Sequence, residues 1–178
     1  MLSVDNTVLL VVDIQGKLAR IVHDSEATIQ GAGKLIRGAK VLGLPILHTE
    51  QNPAGLGPTV PELAGLLDPQ AIPKLRFSCC GEKRFLDALS RLGRNQVLLA
   101  GIETHICVYQ TAVELIGFGY ELHVAADAVS SRTPGNREIG LRKMERAGAH
   151  VTSVETALFE LQRVAEGPAF KELLKIVK

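Results

Sequence analysis

Residues 8 to 12 read Val8-Leu9-Leu10-Val11-Val12, and Asp13 follows them directly. A run that is apolar at every position, and not at every second one, fits a strand covered on both faces, as in a parallel sheet. Comparable runs recur at Pro45-Ile46-Leu47-His48, at Val97-Leu98-Leu99-Ala100-Gly101, at Glu121-Leu122-His123-Val124-Ala125 and, more weakly, around His150-Val151-Thr152. Between them lie helical patterns over Ser25 to Leu42, stopped by Gly43, over Arg84 to Leu92, and over Arg137 to Ala147. This alternation predicts βαβ units. The fold class is α/β, with a mostly parallel central sheet flanked by helices on both faces. In such sheets ligands sit beyond the carboxyl ends of the strands, so the residues that follow each apolar run carry the interest.

A chain of 178 residues suits one domain, taken as residues 1–178. Hydrophobic residues make up 46% and charged residues 22%, a soluble globular profile. Lys and Arg total 20 against 19 Asp and Glu, aromatics are 4% and Trp is absent. No polyanion-binding or base-stacking surface is expected, so nucleic acid is not an expected partner. No apolar run is long enough to span a bilayer, which argues against a membrane partner. The start, MLSVDNTVLLVVD, lacks a basic n-region and does not read as a signal peptide. Three cysteines, with Cys79 and Cys80 adjacent, make no disulfide framework and fit a reducing, cytoplasmic compartment.

Gln51 to Pro73 breaks the rhythm with five of the eight prolines and reads as a pocket wall. The tail at 168–178 carries Phe170, Leu173, Leu174 and Val177 on one helical stripe. That amphipathic helix docks either on its own domain or on a neighbouring subunit.

Asp13 closes the first strand. A carboxylate there leaves the core for the crevice, either as a cap or as a general base. Cys107 lies six residues beyond Gly101. Thr104 reads as the N-cap of a helix with Val108, Thr111, Ala112, Leu115 and Ile116 on one face. Cys107 then sits in the first turn, where backbone N–H groups and the helix dipole lower a thiol pKa and offer donors to an oxyanion. The plainer reading is a small core residue. Lys74 is either solvated or a cation that orients Asp13 and stabilises a thiolate. Cys79 and Cys80 are competing thiols with no evident reason to face the crevice. His105-x-Cys107 offers too few ligands for zinc, so His105 reads as lining the pocket or touching a subunit. Gly31-x-Gly33 lies inside a helical pattern and is no dinucleotide fingerprint. Asp127 and Ser130 to Thr133 either touch the pocket rim or, the preferred reading, cap the next helix, with Pro134 at its first position.

The segments TVLLVVDIQ, KLRFS, GIETHICVYQTA and ETALFEL, in that order between Thr7 and Leu161, resemble the isochorismatase-like cysteine hydrolase superfamily. Within it the chain is similar to the YcaC-like and isochorismatase-domain-containing branch. The resemblance implies a Rossmann-like three-layer sandwich and an Asp-Lys-Cys triad matched by Asp13, Lys74 and Cys107. It implies hydrolysis of a small amide or related C–N compound through a thioester. It also implies a non-proline cis peptide at Ile102-Glu103, with an oxyanion hole formed by the backbone N–H groups of Glu103 and Cys107. Gln15, His48, Phe77 and Thr104 are then expected around the substrate. Nicotinamide-hydrolysing members carry a D-x-H…H metal site after the second strand, whereas HTEQNPAGLGPTVPEL holds His48 alone. No metal and no cofactor is therefore expected. The partners expected are a small-molecule substrate and further copies of the chain, as a homo-oligomer of two or more. A catalytically idle oligomeric binding protein that keeps the hydrolase fold is the alternative.

Overall fold

The computed structural model describes residues 1–178. Strand β1 (Thr7–Val12) is buried at every position. Helices α1 (Leu18–Ile21) and α2 (Ser25–Val41) follow, then β2 (Ile46–Gln51), α3 (Pro53–Leu56), α4 (Pro61–Ala64), β3 (Ile72–Lys74) and α5 (Lys83–Arg91). The second half adds β4 (Gln96–Ile102), α6 (Tyr109–Gly117), β5 (Glu121–Ser130), α7 (Pro134–Arg146), β6 (His150–Thr152), α8 (Val154–Gln162) and α9 (Gly167–Val177). One six-stranded sheet runs in the order β3-β2-β1-β4-β5-β6. Every pairing is parallel, so the sheet is wholly parallel where the sequence pattern predicts a mostly parallel one. The added strand β3 is too short for a periodicity to reveal. It lies at the sheet edge, where Pro73 leaves no ladder donor missing.

The unbroken apolar run of β1 feeds two cores. Val8, Leu10 and Val12 pack on one side with Phe85, Leu89, Ala112, Leu115 and Met144 from α5, α6 and α7. Leu9 and Val11 face Ile29, Leu35, Ile36, Ala157 and Leu158 from α2 and α8. Strand alternation sends neighbours to opposite faces, so only a sheet with helices on both sides buries all of them.

Strand β5 runs on to Ser130, past the predicted end at Ala125. Val124 pairs with Leu99 but Val129 with Gly101, so a bulge of β5 separates two paired stretches. The Arg137 guanidinium donates to the carbonyl of Ala126, inside the bulge, and to that of Val129, just beyond it. Asp127 and Ser130 therefore belong to the strand and not to a capping loop. Thr133 does cap α7, accepting from the Asn136 N–H, with Pro134 at the first position.

The tail docks on its own chain. Leu173 is fully buried among the α2 and α8 side chains, and the Phe170 ring lies 6.1 Å from Phe159. Lys34 Nζ on α2 donates to the Val177 carbonyl at 2.8 Å.

The chain leaves β1 toward β2 on one side, while β4 lies on the other. A crevice opens beyond the carboxyl ends of such a strand pair. The two strands meet closely there. Gly101 has φ +139°, and a Cβ on it would stand 2.2 Å from the Val12 carbonyl oxygen. Gly101→Ala is expected to lower stability by about 3 kcal/mol or more, measured by urea unfolding; a loss below about 1 kcal/mol would contradict the close approach. Leu173→Ala is expected to cost about 3 kcal/mol, roughly 6–12 °C in Tm for a domain of this size. An unchanged Tm would mean that α9 does not contribute to this core.

Candidate active site

Asp13 leaves β1 with a left-handed backbone, φ 53°, which Asp tolerates better than most residues. Its N–H donates to the Thr49 carbonyl at 3.2 Å, and Oδ1 accepts from Thr49 Oγ1 at 2.7 Å. Lys74, the last residue of β3, places Nζ 2.6 Å from Asp13 Oδ2, and both side chains are almost wholly buried. The same ammonium donates to Gln51 Oε1 at 2.7 Å and to the carbonyls of Phe77 at 2.9 Å and Arg76 at 3.2 Å. The Cys107 thiol is close enough for the charges of Asp13 and Lys74 both to act on it. Asp13, Lys74 and Cys107 thus converge from three separate strand ends.

Burial sets the electrostatics. It raises the Asp13 pKa, against the opposing pull of Lys74 and of hydrogen bonds from Thr49 and Cys107. Burial works to lower the Lys74 pKa, but the charges of Asp13 and Cys107 outweigh it and leave the ammonium raised. Burial and then the Asp13 charge push the Cys107 thiol up to about 12, although Lys74 pulls the other way. The lowering expected from a helix start is absent. Thr104 to Val108 form a wide π-helical turn, Cys107 is 7% exposed, and desolvation is the leading cause of the rise.

The other predicted residues take these places. Glu103, not Thr104, takes the cap position of this turn, and the buried Thr104 hydroxyl has no hydrogen-bond partner. Gln15, expected beside the substrate, is fully buried and its amide is fully used. Its Nε2 donates to the carbonyls of Gln51 and Gly57, and its Oε1 accepts from the Gln51 N–H. It stitches the Gln51–Pro73 excursion to the end of β1. His48 lies on the sheet face of Ile46, opposite Thr49, because strand neighbours alternate. There it lines a separate cavity of about 460 Å³ with Asp68 and Arg84, away from Cys107. Phe77 is 54% exposed and contributes its carbonyl to Lys74.

One group, Cys79, reaches the site without a sequence signal. Cys79 is fully buried with Sγ 3.8 Å from Thr49 Oγ1, and the charges of Asp13 and Lys74 both act on it. A short turn capped by Ser78 aims it inward, and its N–H bonds Thr111 Oγ1 on α6. Burial pushes Cys79 up to about 11 and Cys80 up to about 12. The Glu103 carboxylate has its own task, accepting from the Arg132 N–H at 3.1 Å and from Nε at 3.0 Å. His105 Nδ1 pairs with Ser131 Oγ at 3.0 Å. The Ile102–Glu103 peptide is cis.

Comparison with known proteins agrees with this architecture. The domain described as Isochorismatase domain matches residues 7–156. The Secreted isochorismatase effector Isc1 of Phytophthora sojae (strain P6497) is 37% identical over 180 residues, covering 97% of this chain and 85% of that protein. The structure of MAR1 ribonuclease from Caenorhabditis elegans superposes with a TM-score of 0.92 at 36% identity, over 99% of this chain and 91% of that one. YcaC from Escherichia coli, described as an octameric hydrolase of unknown specificity, gives 0.92 at 26% identity, over 98% and 89%. One relative is named as secreted, so family membership does not carry the cytoplasmic expectation with it. No helix of the structure is long and apolar enough to cross a membrane. With a matching domain over most of its length and a relative at this identity, the chain belongs to the isochorismatase-domain family.

Proposed function

We propose that the chain is a cysteine-dependent hydrolase of a small amide or related C–N compound, working through a thioester. The observation that carries this reading is the buried Asp13–Lys74 pair, at 2.6 Å, with the Cys107 thiol beside it. Desolvating two charges costs several kcal/mol, and apolar residues of similar volume fill such a space at no loss of stability. The pair has a clear chemical use. Moving the thiol proton to Asp13 converts carboxylate and thiol into carboxylic acid and thiolate, with Lys74 charged throughout. The buried site keeps the same net charge before and after. Losing that proton to water leaves an extra negative charge inside, which is what holds the thiol near 12.

In the proposed cycle the thiolate attacks the substrate carbonyl carbon. The N–H groups of Glu103 and Cys107 hold the developing oxyanion. Asp13 returns its proton to the leaving nitrogen as the C–N bond breaks, giving a thioester and a free amine. Water then attacks the thioester and passes a proton to Asp13. The acid product departs, and the Asp13 proton returns to the cysteine sulfur.

A small molecule suits the 7% exposure of Cys107. The name of the nematode relative raises RNA as a substrate. A formal net charge of +1, no Trp and 4% aromatics supply neither a basic track nor a stacking platform, so the proposal stays with a small molecule. The octameric description of YcaC supports a homo-oligomer for this chain too. Three free thiols fit a cytoplasmic setting. The same near closure of the site favours a second reading, an idle oligomeric binding protein.

A panel of small amides assayed with wild type and Cys107→Ala separates the two. Hydrolysis by wild type, reduced at least about 10³-fold in the variant, is expected. No turnover by either protein across the panel would favour the idle module. Asp13→Asn is expected to cut hydrolysis by about 10²-fold or more. It is also expected to lower the Cys107 pKa below its value near 12, because the repelling carboxylate is gone and Lys74 remains. Site-resolved alkylation against pH reads that shift. An unmoved Cys107 profile would mean that Asp13 does not act on the thiol.

A further inference from the structure

At the far end of the sheet from Cys107, the first residues of β5 and β6 bring Glu121, His123 and His150 together. Glu121 and His123 are two apart on one strand and so share a face. His150 is the in-register partner of His123 on the neighbouring strand. His123 Nε2 stands 2.7 Å from Glu121 Oε1, and the two imidazole rings lie 4.8 Å apart between centroids. One ligand atom from each of the three residues falls within 4.8 Å of the others. We propose that Glu121, His123 and His150 form a binding site for a divalent transition-metal cation, with Zn²⁺ the best match.

Two imidazoles and a carboxylate are a borderline-soft donor set, suited to Zn²⁺, Ni²⁺ or Co²⁺ and poorly suited to Mg²⁺ or Ca²⁺. Around tetrahedral zinc, ligand atoms about 2.0–2.1 Å from the metal stand about 3.4 Å from one another. The 2.7 Å contact therefore opens slightly and the longest separation, within 4.8 Å, closes. The side chains that have to move have room to do so. His150 is exposed and the Glu121 side chain is 36% exposed, whereas His123 is 4% exposed and fixed. Gln96 Nε2 already holds the second Glu121 oxygen at 3.0 Å, the kind of outer contact that orients a ligating carboxylate. The Met1 ammonium also lies 3.4 Å from Glu121 Oε1. Three protein ligands leave one position for water. Bound there, the ion ties the three-residue edge strand β6 to β5.

Titration of the full chain with ZnCl₂ by calorimetry tests the site. Wild type is expected to bind one equivalent. His150→Ala and Glu121→Gln are expected to bind at least tenfold more weakly, and Cys107→Ala as tightly as wild type. Saturating Zn²⁺ is expected to raise the Tm of wild type and not that of His150→Ala. His150 is exposed, so its removal leaves the core intact, and the metal-free Tm of the variant checks this. Uptake of no Zn²⁺ by wild type, equal affinity in His150→Ala, or loss of binding in Cys107→Ala would each overturn the proposal.

Discussion

The ion pair between Asp13 and Lys74 is the constraint to which the surrounding architecture answers. Two opposite charges lie within a nearly closed site, 2.6 Å apart. Such a pair holds only when the remaining polar valences are met. Thr49 takes one Asp13 oxygen, while Gln51 and the carbonyls of Arg76 and Phe77 take the ammonium. These partners come from β2 and from the turn after β3, so the pair also fixes how the sheet edge closes over the strand ends. Gln15 reinforces that closure by using its whole amide on backbone groups of the excursion.

Burial is the leading influence on the Cys107 thiol, with the Asp13 charge next. A thiol at a helix N-terminus usually ionises more readily. Here the turn is wide, the sulfur is nearly enclosed and a carboxylate faces it. A free thiolate is therefore disfavoured, and a thiolate formed by passing its proton to Asp13 is not, because the local charge does not change. That distinction matters more for the chemistry than any single pKa. It also separates Cys107 from Cys79, which lies close to the same charges but is completely buried.

The two ends of the sheet carry different chemistry. At the carboxyl end, side chains from three strand ends converge because the topology reverses between β1 and β4. At the amino end, the Glu121, His123 and His150 cluster is set by strand register alone. His123 and His150 lie too far apart in the chain for any ligand-spacing motif to link them.

Taken by itself, the sequence determined the α/β class, both helix-covered faces and the strand ends that matter, because unbroken apolar runs and 3.6-residue periods are local signals. It also singled out Asp13 and Cys107 through position after strands, and Lys74 with them through family resemblance. Only the tertiary structure decided the rest. It sent the tail onto α2 and α8, turned His48 to the opposite face, used Gln15 as a clamp and brought Cys79 to the Asp13 pair. It also extended β5 through its bulge and gave the Glu103 carboxylate to Arg132. Each of these depends on which residue lies across the sheet or across the crevice. Pairing register and burial set those distances, and neither is written in the local order of residues.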